Sequence, residues 1–299
     1  MWLVLTANCI CLRVVAEGVN KSGPSESFFA DLEKRCPNLC CLHLSNADPT
    51  APLPASLRFL SLSESSLSPN SFPASRFDVE TQTVILPRLS EVELLAVKLK
   101  RGALAALPAS VERLRIRDTR LPHKCFEGLR QLDAAGQAVF SRLTEIDFSD
   151  NTQLTHEELN RIMQAWPRIT VLKISGCIYS SLARCYAAVN LRELEVLEAD
   201  GVMFNGNIWY ICQRLGGTLR RLSVAGSALY ESNAFSIASE LVNLQSLDVS
   251  RCAALSDIFF ILFANLRKTL RFLNVSSTNV TSDTVELLKL CMPDCEIVY

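Results

Sequence analysis

The chain has 299 residues, 49% of them hydrophobic, and a formal net charge of −1 from 30 basic and 31 acidic residues. That length would ordinarily suggest two domains, and the charge balance argues against a broad nucleic-acid or membrane footprint. No run reaches the ~18 apolar residues that a membrane-spanning helix needs.

Residues Met1 to Leu12 are apolar, but they lack the basic start of a secretory signal and run straight into a strand-like frame, Cys9-x-x-Leu12-x-Val14. A Ser/Gly/Pro loop follows, and the spacing then predicts a helix from Glu26 to Arg35 that stops at Cys36-Pro37-Asn38, because proline cannot continue it. The frame returns as Leu39-x-x-Leu42-x-Leu44-x-x-Ala47 and again, only 18 residues on, as Leu57-x-x-Leu60-x-Leu62. That interval is too short for a helix, so the link from Pro49 to Pro54 should be extended. Leu89-x-x-Val92-x-Leu94 and Val111-x-x-Leu114-x-Ile116 continue the series. Leu-Pro-Ala-Ser opens both short units, at Leu53 to Ser56 and at Leu107 to Ser110.

From residue 143 the register settles. The frames are Leu143-x-x-Ile146-x-Phe148-x-x-Asn151, Ile169-x-x-Leu172-x-Ile174-x-x-Cys177 and Leu194-x-x-Leu197-x-Ala199. They continue as Leu219-x-x-Leu222-x-Val224-x-x-Ser227, Leu244-x-x-Leu247-x-Val249-x-x-Cys252 and Leu270-x-x-Leu273-x-Val275-x-x-Thr278. Thr155-x-x-Glu158 reads as a capping box ahead of Leu159, Ile162 and Met163. Gly216-Gly217 suits the end of a helix over 208–215. Ser256-Asp257 can cap Ile258 to Leu266, which is apolar nearly all round and therefore expected to be buried. Met292-x-x-Cys295-x-Ile297 begins a last half unit.

A fixed period of 25 or 26 residues is the signature of leucine-rich repeats. One such unit cannot bury its apolar face alone, so neighbours stack into a solenoid. The expected fold is α/β: a right-handed horseshoe of about eleven repeats and a half unit, with a parallel sheet inside and helices and extended links outside. It is read as one domain over 1–299, with 1–8 a remnant cap or truncation point, 9–142 irregular and 143–299 regular. With the first residue of a frame as position 0, positions 3 and 5 face the core and positions 2, 4 and 6 face outward on the concave side.

The cysteines follow this frame. Cys177 and Cys252 stand at position 8, where a small buried residue is wanted, and all twelve are expected to be free. That suits a reduced intracellular protein, placed in the cytoplasm with the nucleus left open. Cys11, Cys41 and His43 should share the outward face of adjacent strands. A metal cluster there is weighed against three ordinary surface residues, and the ordinary reading is preferred. The three histidines His43, His123 and His156 lie in separate repeats, and no nucleophile–base set or phosphate-binding loop is visible. No catalytic residue, cofactor or metal is expected. Asn20, Asn274 and Asn279 open bare N-x-S/T triplets, which are treated as chance matches.

Candidate partner-binding residues lie on the concave face. Arg113, Arg115 and Arg117 alternate along one strand, between Glu91 and Glu93 on one side and Glu145 and Asp147 on the other. The expected pairing joins Arg113 to Glu91 and Glu145, and Arg115 to Glu93 and Asp147. It leaves Arg117 level with Leu95 and Ser149. Such a ladder either neutralises itself or selects a partner by charge. Lys173, Glu198, Asp200, Arg221, Asp248 and Arg251 extend the strip, and Phe59 and Phe272 at position 2 are candidate aromatic anchors.

Several stretches carry a resemblance. Cys36-Pro37-Asn38-Leu39, Asn151-x-x-Leu154-Thr155 leading to Trp166-Pro167, Ile174-Ser175-Gly176-Cys177, Val249-Ser250-Arg251-Cys252 and Asn279-Val280-Thr281-Ser282-Asp283 resemble the cysteine-containing repeats of the F-box/leucine-rich-repeat family. The resemblance implies the substrate-recognition part of an SCF ubiquitin-ligase receptor, acting in ubiquitin conjugation, with a protein substrate on the concave face. In that family an N-terminal F-box docks on a Skp-type adaptor. The F-box pattern does not precede the first frame, so adaptor binding is expected only with an F-box upstream of Met1. The other reading is a free-standing repeat scaffold or inhibitor unrelated to ubiquitination.

Overall fold

A computed structural model describes residues 9–15, 26–49, 52–72, 76–78, 83–85, 88–121, 142–177, 191–202 and 208–299. The expected cap over residues 1–8, the triplet at Asn20, His123, Cys125 and Cys185 lie outside the described residues. The chain divides into two compact units, Met1–Thr144 and Glu145–Tyr299.

The first unit runs β1 (Cys11–Val15), α1 (Glu26–Arg35), β2 (Cys41–Ser45), β3 (Phe59–Ser63), β4 (Ser66–Leu67), β5 (Arg76–Asp78), β6 (Thr83–Ile85), β7 (Glu91–Leu95), β8 (Lys98–Leu99) and β9 (Arg113–Arg117). Strands β1, β2, β3, β7 and β9 pair in parallel in that order, so Leu12, Leu42, Leu60, Val92 and Leu114 stand level. All five are buried, as position 3 requires. Helix α1 takes the bounds expected of it and buries Phe29 and Leu32 at i, i+3 spacing.

The two Leu-Pro-Ala-Ser links behave alike. Leu53 and Leu107 are buried. Pro54 and Pro108 each open a tight turn, with Leu57 N–H donating to Pro54 O and Val111 N–H to Pro108 O. The Ser56 and Ser110 hydroxyls donate to Leu39 O (2.8 Å) and Leu89 O (2.7 Å), which each begin the preceding frame. A short unit thus replaces a helix by a proline turn and one hydroxyl. The antiparallel pair β5–β6 and the small parallel pair β4–β8 have no counterpart in the sequence reading.

The second unit runs β10 (Glu145–Asp147), α2 (His156–Ala165), β11 (Val171–Lys173), β12 (Val196–Glu198), α3 (Trp209–Leu215), β13 (Arg221–Ser223), α4 (Glu231–Glu240), β14 (Ser246–Asp248), α5 (Asp257–Phe263), β15 (Phe272–Asn274), α6 (Ser282–Cys291) and β16 (Glu296–Val298). Its strands pair in parallel in chain order. The capping box forms at α2: Glu158 N–H donates to Thr155 Oγ1, and Thr155 N–H donates to Glu158 Oε2. Two further expectations need correction. Ser256 makes no side-chain cap, and α5 is only half buried: Phe259, Phe260 and Phe263 face the core while Ile258 and Ile261 are 66% and 52% exposed. The all-round apolar pattern gave no face, and neighbouring α4 and α6 decide which side is covered. Gly216 does end α3, but with φ −58° rather than in the left-handed region. A Cβ there would lie 2.2 Å from Glu240 O, so glycine is needed because α3 and α4 approach closely.

Position 7 of the frame is left-handed in both units. Asn46, Glu64, Ala96, Asp118, Asp150, Arg251 and Ser277 have φ between 45° and 65°, as do Gly176, Gly201 and Gly226 at 65° to 76°. The turn leaving each strand sets this conformation whatever residue occupies it.

Candidate functional site

The outward face of the first unit is built from positions 2, 4 and 6 of the five strands. Strand register sets Cys11, Cys41, Phe59, Glu91 and Arg113 in one row, and Arg13, His43, Ser61, Glu93 and Arg115 in the next. Glu91 is the hub. Its Oε2 accepts from Arg113 Nε (3.1 Å) and Nη2 (2.7 Å), and its Oε1 accepts from Arg115 Nη1. The Glu91 side chain is 15% exposed, against 41% and 30% for the two arginines. Arg113 therefore meets its expected strand neighbour. Arg115 reaches diagonally to Glu91, where the sequence reading had paired it with Glu93, because a long guanidinium spans the diagonal between strands. Glu93 is half-buried on β7. Arg117, level with Leu95, is exposed. Phe59 is not a bare anchor: it is half-buried, and its ring lies 5.1 Å from that of His43.

In the second unit Lys173 Nζ lies 3.0 Å from Glu198 Oε1, with both side chains about a third exposed. Arg221 is exposed, while Glu145 and Phe272 are half-buried. The three aspartates each accept a backbone N–H. Asp147 is only 5% exposed, and its carboxylate accepts the Ser149 N–H at 2.9 Å. Asp248 accepts the Ser250 N–H and also the Asn274 side-chain amide, each at 2.9 Å. Asp200 accepts the Ala225 N–H and the Ser223 hydroxyl of the next repeat. Asp147 and Asp248 hold their own turns through the N–H two residues on, while Asp200 holds the turn of the next repeat. Glu145 and Asp147, expected beside Arg113 and Arg115, belong to the second unit. Arg251 supplies the left-handed turn residue of its repeat.

Position 8 carries a second polar system, missed in the sequence. The Cys177 thiol donates to Phe148 O (3.1 Å), the Ser227 hydroxyl to Ala199 O (3.3 Å) and the Cys252 thiol to Val224 O (3.3 Å). Each reaches the position 5 carbonyl of a preceding frame. The only available signal was that Asn, Cys, Ser and Thr, all donors, recur at that position. Burial pushes the Cys177 thiol up to about 12 and the Cys252 thiol to about 11, so both remain neutral donors. Cys212, also pushed up to about 12 by burial, lines a small apolar pocket with Leu197, Ile211, Leu222 and Leu241. The ten described cysteines are free. Cys11, Cys41 and His43 do share a face, but among the described residues no group of three or more His, Cys, Asp or Glu side chains could hold a metal ion. Among them, too, no helix is long and apolar enough to cross a membrane.

No protein-family model matches the chain, and no curated protein matches it. Among solved structures it is similar to a chain in the crystal structure of a TLR13–ssRNA13 complex, with a TM-score of 0.52 and 16% sequence identity. That similarity covers 87% of this chain, which spans 39% of the other. Identity this low speaks for the fold alone. With the parallel frame strands, the buried leucines at position 3 and the helices between successive strands, it makes the chain an α/β leucine-rich-repeat solenoid.

Proposed function

We propose that the chain is a protein-binding module without chemistry of its own, a single repeat domain over 1–299 whose outward strand face receives the partner. The observation that carries this reading is the Glu91 hub, which fixes two arginines beside the His43–Phe59 ring pair on a rigid sheet. Pre-fixed charged side chains lose little freedom on binding, and their pattern selects a partner by charge. On the first unit the proposed residues are Phe59, Glu91, Glu93, Arg113, Arg115 and Arg117; on the second, taken by itself, they are Glu145, Lys173, Glu198, Arg221 and Phe272. Asp147, Asp200 and Asp248 shape its turns. The ssRNA named with the similar structure belongs to that complex; a net charge of −1 and carboxylate-held arginines favour a protein partner here.

The cysteine-containing frames support a finer reading: the substrate-recognition part of an SCF ubiquitin-ligase receptor, in the cytoplasm or nucleus. Adaptor binding then belongs to an F-box upstream of Met1. Purified Skp-type adaptor should not be retained by residues 1–299 alone, and stoichiometric retention would overturn that division of labour. For the binding face, the test is the double variant Arg113→Gln, Arg115→Gln. A partner purified on the wild-type chain should lose about tenfold or more in affinity, the scale of an interface residue that matters. Thermal stability should change little, because part-exposed ion pairs contribute only ~0–1 kcal/mol each. Equal affinity for both chains would move the site off this face.

A further inference from the structure

We propose that Cys11 and Cys41 form a reversible dithiol–disulfide site on the outward face of the first two strands, oxidised by a small-molecule disulfide of the glutathione class. Five of the chain's cysteines fall in the first two repeats, and all five are free thiols: Cys9, Cys11, Cys36, Cys40 and Cys41. Strand register singles out one pair. Cys11 on β1 is the direct partner of Cys41 on β2, and both occupy position 2. Neighbouring strands lie about 4.8 Å apart, inside the ~4.4–6.8 Å between Cα atoms that a disulfide spans.

Burial excludes Cys36, and orientation separates Cys40 from Cys41. Cys11 is exposed and Cys41 half-buried. Cys36, at the end of α1, is 0% exposed. Cys40 follows the other face of the strand, and its thiol is turned to Asn38 O at 3.4 Å. Arg13, exposed two residues along β1 on the Cys11 face, offers a cation to the carboxylates of an incoming glutathione disulfide.

The chemistry balances as two thiol–disulfide exchanges. The Cys11 thiolate attacks one sulfur of glutathione disulfide; that S–S bond breaks, and one glutathione leaves as its thiolate. The Cys41 thiolate then attacks the Cys11 sulfur, and the second glutathione leaves. Two protein thiols lose two electrons and two protons, and one glutathione disulfide becomes two glutathione thiols. The product ties β1 covalently to β2, which the dithiol form holds only through backbone pairing and packing. Cys11, Cys41 and Phe59 lie in one row, so the bridge sits beside the proposed receptor face without depending on it.

The test incubates the full chain with glutathione disulfide, blocks remaining thiols by alkylation and maps peptides by mass. The wild-type chain should yield a linked peptide pair joining Cys11 to Cys41, lost again in excess reduced glutathione. Cys40→Ala should keep the bridge, which assigns it to Cys41 rather than its neighbour, and Cys36→Ser should keep it too. Cys41→Ser should trap the intermediate, with glutathione on Cys11 about tenfold above the wild-type level, because the resolving thiol is gone. Glutathione persisting on Cys11 in the wild-type chain, or a bridge from Cys11 to any other cysteine, overturns the proposal.

Discussion

The two units link successive frames through position 8 with opposite hydrogen-bond direction, although the first unit's hydroxyls also donate within their own frame, Ser65 to Ser63 O and Thr119 to Arg117 O. In Met1–Thr144 the frame strands run five residues. There Ser65 Oγ and Thr119 Oγ1 at position 8 accept the backbone N–H of Ala47 and Val97, position 8 of the preceding frames. In Glu145–Tyr299 the strands run three residues, and a turn begins at position 5, with Asn151, Cys177, Ser227 and Cys252 N–H each donating to the carbonyl three residues back. There the position 8 side chains of Cys177, Ser227 and Cys252 donate to position 5 carbonyls. The acceptors of the first unit must be hydroxyls, while the donors of the second can be thiols. A buried thiol is a small apolar group with a weak S–H donor, so it fills that slot without the desolvation cost of a hydroxyl. This is why buried frame cysteines belong to the regular half.

The comparison can be broken at several points. The largest effect is expected from Gly216→Ala in the second unit, where the new Cβ would meet the Glu240 carbonyl. Forcing α3 from α4 should cost about 2–3 kcal/mol in urea unfolding, with hydrogen-exchange protection lost in α3 and α4 and retained in β2 and β3. An unchanged midpoint would mean the two helices part freely.

Thr119→Val tests the first unit. It leaves the buried Val97 N–H without its acceptor and should cost about 1–2 kcal/mol. A loss as small as that of an exposed substitution would show that another group takes the N–H.

Alkaline pH should separate the units next. The Cys177 and Cys252 thiols are held by burial at about 12 and about 11 in the fold, above their ordinary 9.0. The unfolded chain therefore loses these protons first. Their contribution is complete below pH 9 and declines as pH rises toward 11, by about 1 kcal/mol per thiol at pH 10. Melting curves from pH 8 to 10.5 on Cys177→Ser and Cys252→Ser should be flatter than those of the wild-type chain. Parallel slopes in all three would remove the thiols as the cause.

The smallest effect is expected at Ala96, a left-handed residue of the first unit that carries a Cβ. Ala96→Gly should stabilise by about 0.5 kcal/mol, since the relieved strain slightly exceeds the chain entropy glycine adds. The glycines of the second unit offer no such gain.

Local spacing made much of this legible. The leucine frames put the strands in place, i, i+3 burial and proline bounded α1, and Thr155 with Glu158 announced the start of α2. All are determined within a few residues, by backbone geometry that fixes which side chains share a face. Register then made Glu91 the neighbour of Arg113 before any coordinates. The rest depended on residues distant in sequence. Arg115 reaches Glu91 along a diagonal, and the Asp147 carboxylate accepts the Ser149 N–H. Ile258 and Ile261 stayed outside because α4 and α6 cover the opposite side of α5, and Gly216 was required by Glu240, 24 residues away. Sequence determined which positions face the core, because periodicity and backbone twist are local. Only the tertiary structure decided which side chains meet, because hydrogen bonds and close approaches are settled between neighbouring repeats.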